Sequence, residues 1–167
     1  AGCVESHAIQ ASLEPFWTNL SRNVAATEPH KTEQGTHGGE FISFKIGADA
    51  TSVRKERVEA IAQHPPQPMR FSAIIITTAK AQLVLVVTYW YVGKDLHQCN
   101  LELLQQVAML KDILQLPMLV FGDFNIPINE LETSGWLRPT GSKTVNPPGE
   151  FSSKPKVSKI DYVSVSN

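Results

Sequence analysis

The sequence predicts an α/β domain, and three observations carry that expectation. Two β-branched-rich runs, 71–78 and 82–90, are joined only by Ala79-Lys80-Ala81; a helical stretch follows at 99–115; and an apolar run, Pro117-Met118-Leu119-Val120-Phe121, comes directly after it. Strand, helix and strand in that order form a crossover unit, whose flanking strands lie parallel in one sheet. With 167 residues, 42% hydrophobic and 8% aromatic, the chain can bury a sizeable core and does not have the composition of a disordered polymer. A single domain over residues 1–167 is the expectation.

The elements follow in chain order. A helix is expected around Ser12 to Val24, and the polar stretch from Ala26 to Gly35 reads as loop. From Gly39 to Ile46 the residues Phe41, Ser43 and Lys45 alternate with Ile42, Phe44 and Ile46, the mark of a strand packed on at least one face. Residues Val53 to Gln63 are expected to form a short charged amphipathic helix that ends at His64-Pro65-Pro66. The runs 71–78 and 82–90 pair most simply as an antiparallel hairpin. Leu103, Val107, Leu110 and Leu114 alternate spacings of four and three, giving one broad apolar face on a helix stopped before Pro117. Residues 127–157 hold five prolines with several glycines and serines and read mostly as loop; Ile160 to Val165 is a final strand.

Charge and cysteine usage exclude some functions. Lys and Arg total 15 against 16 Asp and Glu, so a phosphate-bearing substrate would have to be held by a local site and not by a general basic surface. Cys3 and Cys99 lack CxxC spacing and read as free thiols in a reducing compartment, cytoplasmic or nuclear. No apolar run approaches the roughly 18 to 20 residues of a membrane span, and no membrane association is expected. The start, Ala1-Gly2-Cys3-Val4-Glu5, has neither an initiating Met nor a signal peptide and looks cut or processed. Serine-hydrolase and phosphate-loop chemistry are excluded, because neither GxSxG nor GxxxxGK[ST] occurs.

The chemistry concentrates in Gly122-Asp123-Phe124-Asn125, at the carboxyl end of the apolar strand, where open sheets place their ligand sites. In extended backbone, residues two apart face the same way, so Asp123 and Asn125 offer a carboxylate and an amide to one region. Such a pair suits a hard cation beside a phosphate. In the last strand, parity puts Asp161 with Val163 and Val165, and Tyr162 with Ser164 and Ser166; parity alone leaves open which face is buried. Tyr91 reads by itself as a core ring with a wet hydroxyl, Glu5 as a solvated charge, and His37-Gly38-Gly39 as a turn.

Taken in order, Glu5-Ser6-His7, His37-Gly38-Gly39, Tyr91-Val92-Gly93, Gly122-Asp123-Phe124-Asn125 and Ser158-Lys159-Ile160-Asp161-Tyr162 resemble the motif series of the endonuclease/exonuclease/phosphatase superfamily, the deoxyribonuclease I-like fold. The resemblance spans nearly the whole chain. It implies a four-layered α/β sandwich, incomplete here at both ends, and metal-dependent hydrolysis of phosphate esters, commonly with magnesium and with manganese as the other candidate. By matching position it implies that Glu5 binds the metal, Asp123 orients or activates the attacking water, Asn125 holds the phosphate and Tyr91 contacts it. Asp161 matches a carboxylate that lies close to the active site in many members.

Two departures bear on activity. The family's first strand carries an asparagine upstream of the glutamate, and its last element is serine-aspartate-histidine; this sequence contains neither, and its last histidine is His97. General acid–base catalysis is worth roughly 10²- to 10⁴-fold in rate, so loss of the histidine would be costly. Gly93 also stands where many members have proline. Two expectations follow: a nucleic-acid endonuclease or phosphodiesterase fragment, such as a retroelement polyprotein would carry, or a catalytically inactive remnant or interaction module of the same fold. The substrate in the first case is nucleic acid or another phosphate ester, and no obligate protein partner is implied.

Overall fold

The computed structural model describes residues 2–3, 22–26, 30–32, 35–37, 41–45, 49–53, 70–145 and 161–166. In chain order the strands are β1 (Gly2–Cys3), β2 (Arg22–Ala26), β3 (His30–Thr32), β4 (Gly35–His37), β5 (Phe41–Lys45), β6 (Ala50–Ser52), β7 (Phe71–Thr77) and β8 (Gln82–Tyr89). Helix α1 (Gln98–Leu114) then leads to β9 (Met118–Asp123), a short helix α2 (Ile128–Thr133), β10 (Ser142–Val145) and β11 (Asp161–Ser166).

A six-stranded sheet in the order β10-β11-β9-β8-β7-β6 forms the centre, beside a three-stranded sheet β1-β5-β2 and a hairpin β3-β4. The hairpin β7–β8 is antiparallel, with Phe71 opposite Thr88 and Thr77 opposite Gln82. Its turn closes through Thr78, whose hydroxyl donates to the Ala81 carbonyl at 2.8 Å and accepts from the Ala81 N–H at 3.1 Å. Strands β8 and β9 are parallel, as the strand–helix–strand order demands, with Val84 opposite Met118 and Tyr89 opposite Asp123.

Strand parity divides the apolar residues between two cores. Ala73, Val84, Val86, Met118 and Val120 pack under Leu103, Leu104, Val107 and Leu110 of α1. The intervening residues Ile74 and Val87 pack instead with Ile42 of β5, joined by Leu85 and Phe121. Helix, sheet and second sheet are therefore stacked in three layers among the described residues, and the central strands are covered on both faces. That is why β7 and β8 read as continuous apolar runs and not as alternating ones.

Several expectations change. Residues 22–24 lie in β2 and not in a helix, and the remainder of the expected helix over 12–24 lies outside the described residues. The expected loop over 26–35 contains β3 and most of a hairpin with β4; three-residue strands pair through backbone hydrogen bonds and need no apolar alternation to do so. Val53 is extended, its N–H donating to the Ala73 carbonyl at 3.0 Å as a continuation of β6, and residues 54–63 lie outside the described residues. The expected loop over 127–157 contains α2 and β10; its residues 146–157 are outside the described residues. In β11 both faces are covered: Ser164 and Ser166 are buried toward α1, while Val163 and Val165 are half-buried.

Candidate functional site

The turn after β9 is built from four residues with separate structural reasons. Gly122 has φ +150°, and a Cβ there would overlap the Thr88 carbonyl oxygen of β8 and approach its carbon to 2.9 Å. Only glycine lets β8 and β9 come this close. Phe124 is fully buried on the α1 side, its ring 5.3 Å from that of Trp90 and tilted by 55°. Asn125 adopts φ 52°, the left-handed region that asparagine tolerates best after glycine. Its N–H donates to Asp123 Oδ1 at 2.9 Å and its Nδ2 donates to the Trp90 carbonyl at 3.0 Å. The Asp123 carboxylate thus closes the turn and is held half-buried at the strand end.

Register extends this point into a row across the sheet. Asp123 is opposite Tyr89 on one side and opposite Asp161 on the other. Tyr89 in turn donates its N–H to the Arg70 carbonyl at 3.1 Å, which puts Arg70 in register one strand further along. Cross-strand partners share a face, here the face of Leu85, Val87 and Phe121 that meets the second sheet. An arginine, a tyrosine and two aspartate positions therefore cross four neighbouring strands at the end of an apolar layer.

Arg70 and Tyr91 close the row at one end. The Arg70 guanidinium carbon lies 4.0 Å from the Tyr91 ring centroid and 5.1 Å from that of Tyr89, and Nη1 donates to the Trp90 carbonyl at 3.3 Å. The dipeptide Trp90-Tyr91 is bonded at every backbone polar atom. Trp90 N–H donates to the Asp123 carbonyl at 2.9 Å, the Trp90 carbonyl accepts from both Arg70 and Asn125, and Tyr91 N–H donates to Asn100 Oδ1 at 3.0 Å. Asn100 Nδ2 returns to the Tyr91 carbonyl at 3.3 Å and to the Asp95 carbonyl at 2.7 Å. Asn100 is completely buried in the first turn of α1, its amide saturated by the loop it organises.

Of the residues singled out in the sequence, Asp123, Asn125 and Tyr91 come together around Trp90, and Asp161 occupies the register position opposite Asp123. Glu5 lies outside the described residues. Arg70, Tyr89 and Asn100 emerge only in three dimensions. Among the described residues no three His, Cys, Asp or Glu side chains converge as a metal centre. Asp123 and Asn125 do supply hard oxygen donors, the kind magnesium takes in small number while keeping waters and substrate phosphate in its shell. They fit such an ion in kind. Cys99 is a free, half-buried thiol, and among the described residues no helix is long and apolar enough to cross a membrane.

No family model and no curated protein matches the chain. Solved structures do match. The catalytic domain of human Nocturnin with a bound sulfate anion superposes with a TM-score of 0.63 at 14% identity, over 99% of this chain and 68% of that one. The endonuclease domain of TRAS1, a telomere-specific non-LTR retrotransposon, gives 0.60 at 14% identity, over 84% of this chain and 64% of that one. An endonuclease/exonuclease/phosphatase family protein from Bacteroides thetaiotaomicron gives 0.55 at 15% identity, over 95% and 66%. The chain spans about two thirds of the length of these structures. Paired sheets, a parallel β8–β9 pair ending in Gly122–Asn125 and likeness to these proteins together show that the chain has the deoxyribonuclease I-like fold.

Proposed function

We propose that the chain is a metal-dependent phosphoesterase acting on nucleic acid as an endonuclease or phosphodiesterase. The observation that carries this reading is the fixed pair of Asp123 carboxylate and Asn125 amide at the carboxyl end of the parallel β8–β9 pair. The TRAS1 domain, an endonuclease, supports nucleic acid as the substrate class. In this reading Glu5 and the oxygens of the Asp123 turn hold a divalent cation, magnesium or manganese. When bound, it neutralises the negative charge that grows on the phosphoryl oxygens.

The chain's own residues do the remainder. Asp123 orients the attacking water and draws on its proton, and Asp161, from the neighbouring strand, adds negative potential that favours cation binding and proton acceptance. Asn125, locked by its bond to the Trp90 carbonyl, holds the phosphate, and Tyr91 contacts it. Their value lies in being arranged before the substrate arrives, since groups already oriented need no reorganisation as charge develops. Cleavage of supercoiled plasmid and of an abasic-site duplex tests the reading. With magnesium present the wild type cleaves, EDTA abolishes cleavage, and Asp123→Ala lowers the rate roughly 10²- to 10⁴-fold. Equal rates for the wild type and Asp123→Ala would sink it and leave a non-catalytic module of the same fold.

A further inference from the structure

We infer that Arg70 is a phosphate-binding residue of this site, taking a non-bridging oxygen of a nucleic-acid backbone two strands away from Asp123. The inference rests on the phosphoesterase reading for its substrate class, and on geometry for the residue. Arg70 is anchored at its backbone, its carbonyl accepting from Tyr89 N–H and from Thr88 Oγ1, both at 3.1 Å. Its guanidinium is then caught against two aromatic faces, at 4.0 and 5.1 Å from the ring centroids. Stacking holds the plane of the group and leaves the N–H edge to bind an anion. A single N–H, on Nη1, is spent on the Trp90 carbonyl.

The guanidinium has five N–H donors, and a phosphate would be bound through those on its open edge. Arg70 is half-buried. An incoming phosphate pairs with such a cation through two short charge-assisted bonds. Position agrees with chemistry. Adjacent strands are about 4.8 Å apart, so the Arg70 and Asp123 backbones stand on the order of 10 Å from each other across Tyr89. A phosphodiester at Asp123 comes within reach of a side chain of arginine's length. The near-neutral whole chain makes a local cation necessary: 15 Lys and Arg against 16 Asp and Glu provide no general attraction for a polyanion.

Holding the Trp90 carbonyl is the competing role for Arg70, and salt dependence distinguishes the two. Each phosphate neutralised on a single strand contributes about 0.7 to the slope of log affinity against log salt, and a purely structural arginine contributes nothing. A fluorescein-labelled single-stranded DNA oligonucleotide, titrated by anisotropy in EDTA at several salt concentrations, measures this without any cleavage. Arg70→Gln and Arg70→Met are the neutral variants, the second keeping a stem against the tyrosine rings. Arg70→Lys restores the charge.

In a neutral variant with a cooperative wild-type-like melt, the slope falls by about 0.7 and low-salt affinity by on the order of tenfold, and the lysine variant regains the slope. A folded neutral variant with the wild-type slope overturns the inference. So does failure of both neutral variants to fold, which assigns Arg70 to stability, and so does a wild type that does not bind the oligonucleotide. Arg70-dependent binding by a chain that never cleaves would retire the phosphoesterase reading and keep this one; cleavage with an Arg70-independent slope would do the reverse.

Discussion

At the carboxyl end of β9 the two faces of the central sheet carry opposite chemistry. Toward α1 the layer stays apolar to its very end: Val120 is followed by fully buried Phe124 and Ile126, with Trp90 beside them. Toward the second sheet the apolar layer of Val87 and Phe121 stops, and Arg70, Tyr89, Asp123 and the position of Asp161 replace it in register. Four successive residues serve both faces, Gly122 and Phe124 the packing, Asp123 and Asn125 the candidate site. A polar row this close to a core is tolerated because Arg70 and Asp123 are held by backbone groups and aromatic rings before any ligand binds.

Substitutions that act on one face alone test this division. Gly122→Ala has the largest expected effect, because the added Cβ meets backbone and not a yielding side chain. It separates β8 from β9 and is expected to cost about 3 kcal/mol or more, read as a collapse of the melting temperature together with loss of any activity. Phe124→Ala and Asp123→Asn form the sharper contrast. The first empties a buried ring site and is expected to cost about 3–5 kcal/mol in denaturant unfolding. The second keeps an oxygen to accept the Asn125 N–H, so its stability is expected to stay within about 1 kcal/mol of the wild type while cleavage is lost. If Asp123→Asn destabilised the chain as much as Phe124→Ala, the two faces would not be separable.

The smallest effect comes from the α1 face of β11. Ser164 is 1% exposed, and among the described residues its hydroxyl has no hydrogen-bond partner. An unpaired buried hydroxyl costs free energy, so Ser164→Ala is expected to be neutral or to stabilise by up to about 1 kcal/mol in urea unfolding. A loss beyond that would mean the hydroxyl has a role in β11 pairing.

Some of this was legible in the sequence and some could not be. The hairpin β7–β8 and strand β9 were plain as continuous apolar runs, and helix α1 by the spacing of Leu103, Val107, Leu110 and Leu114, with Pro117 and the Ala79–Ala81 turn as boundaries. Asp123 and Asn125 stood out because polar residues follow an apolar strand without a gap. The face of Asp161 was undecidable by parity, since β11 is covered on both sides and neither Val163 nor Ser164 marks an outside. The strands β3, β4 and β10 are short and mostly polar, and pair through backbone bonds that no side-chain pattern records. Arg70 and Tyr89 were missed because their meaning is register: 19 positions apart in the sequence, they become neighbours only when the hairpin closes. Asn100 did leave a trace, a polar residue three, four and seven positions before Leu103, Leu104 and Val107 on the apolar stripe of α1.

The fully bonded dipeptide Trp90-Tyr91 has a thermodynamic meaning for any substrate. Its peptide groups are fastened by residues from the start of β7, the end of β9, the turn beyond it and the first turn of α1, so rotating either one breaks bonds to more than one element. The ordering entropy of that surface is lost when the chain folds and not when a ligand arrives. A ligand at Tyr91 therefore meets a template already cast, and its affinity reports the contacts themselves, undiluted by the work of assembling them.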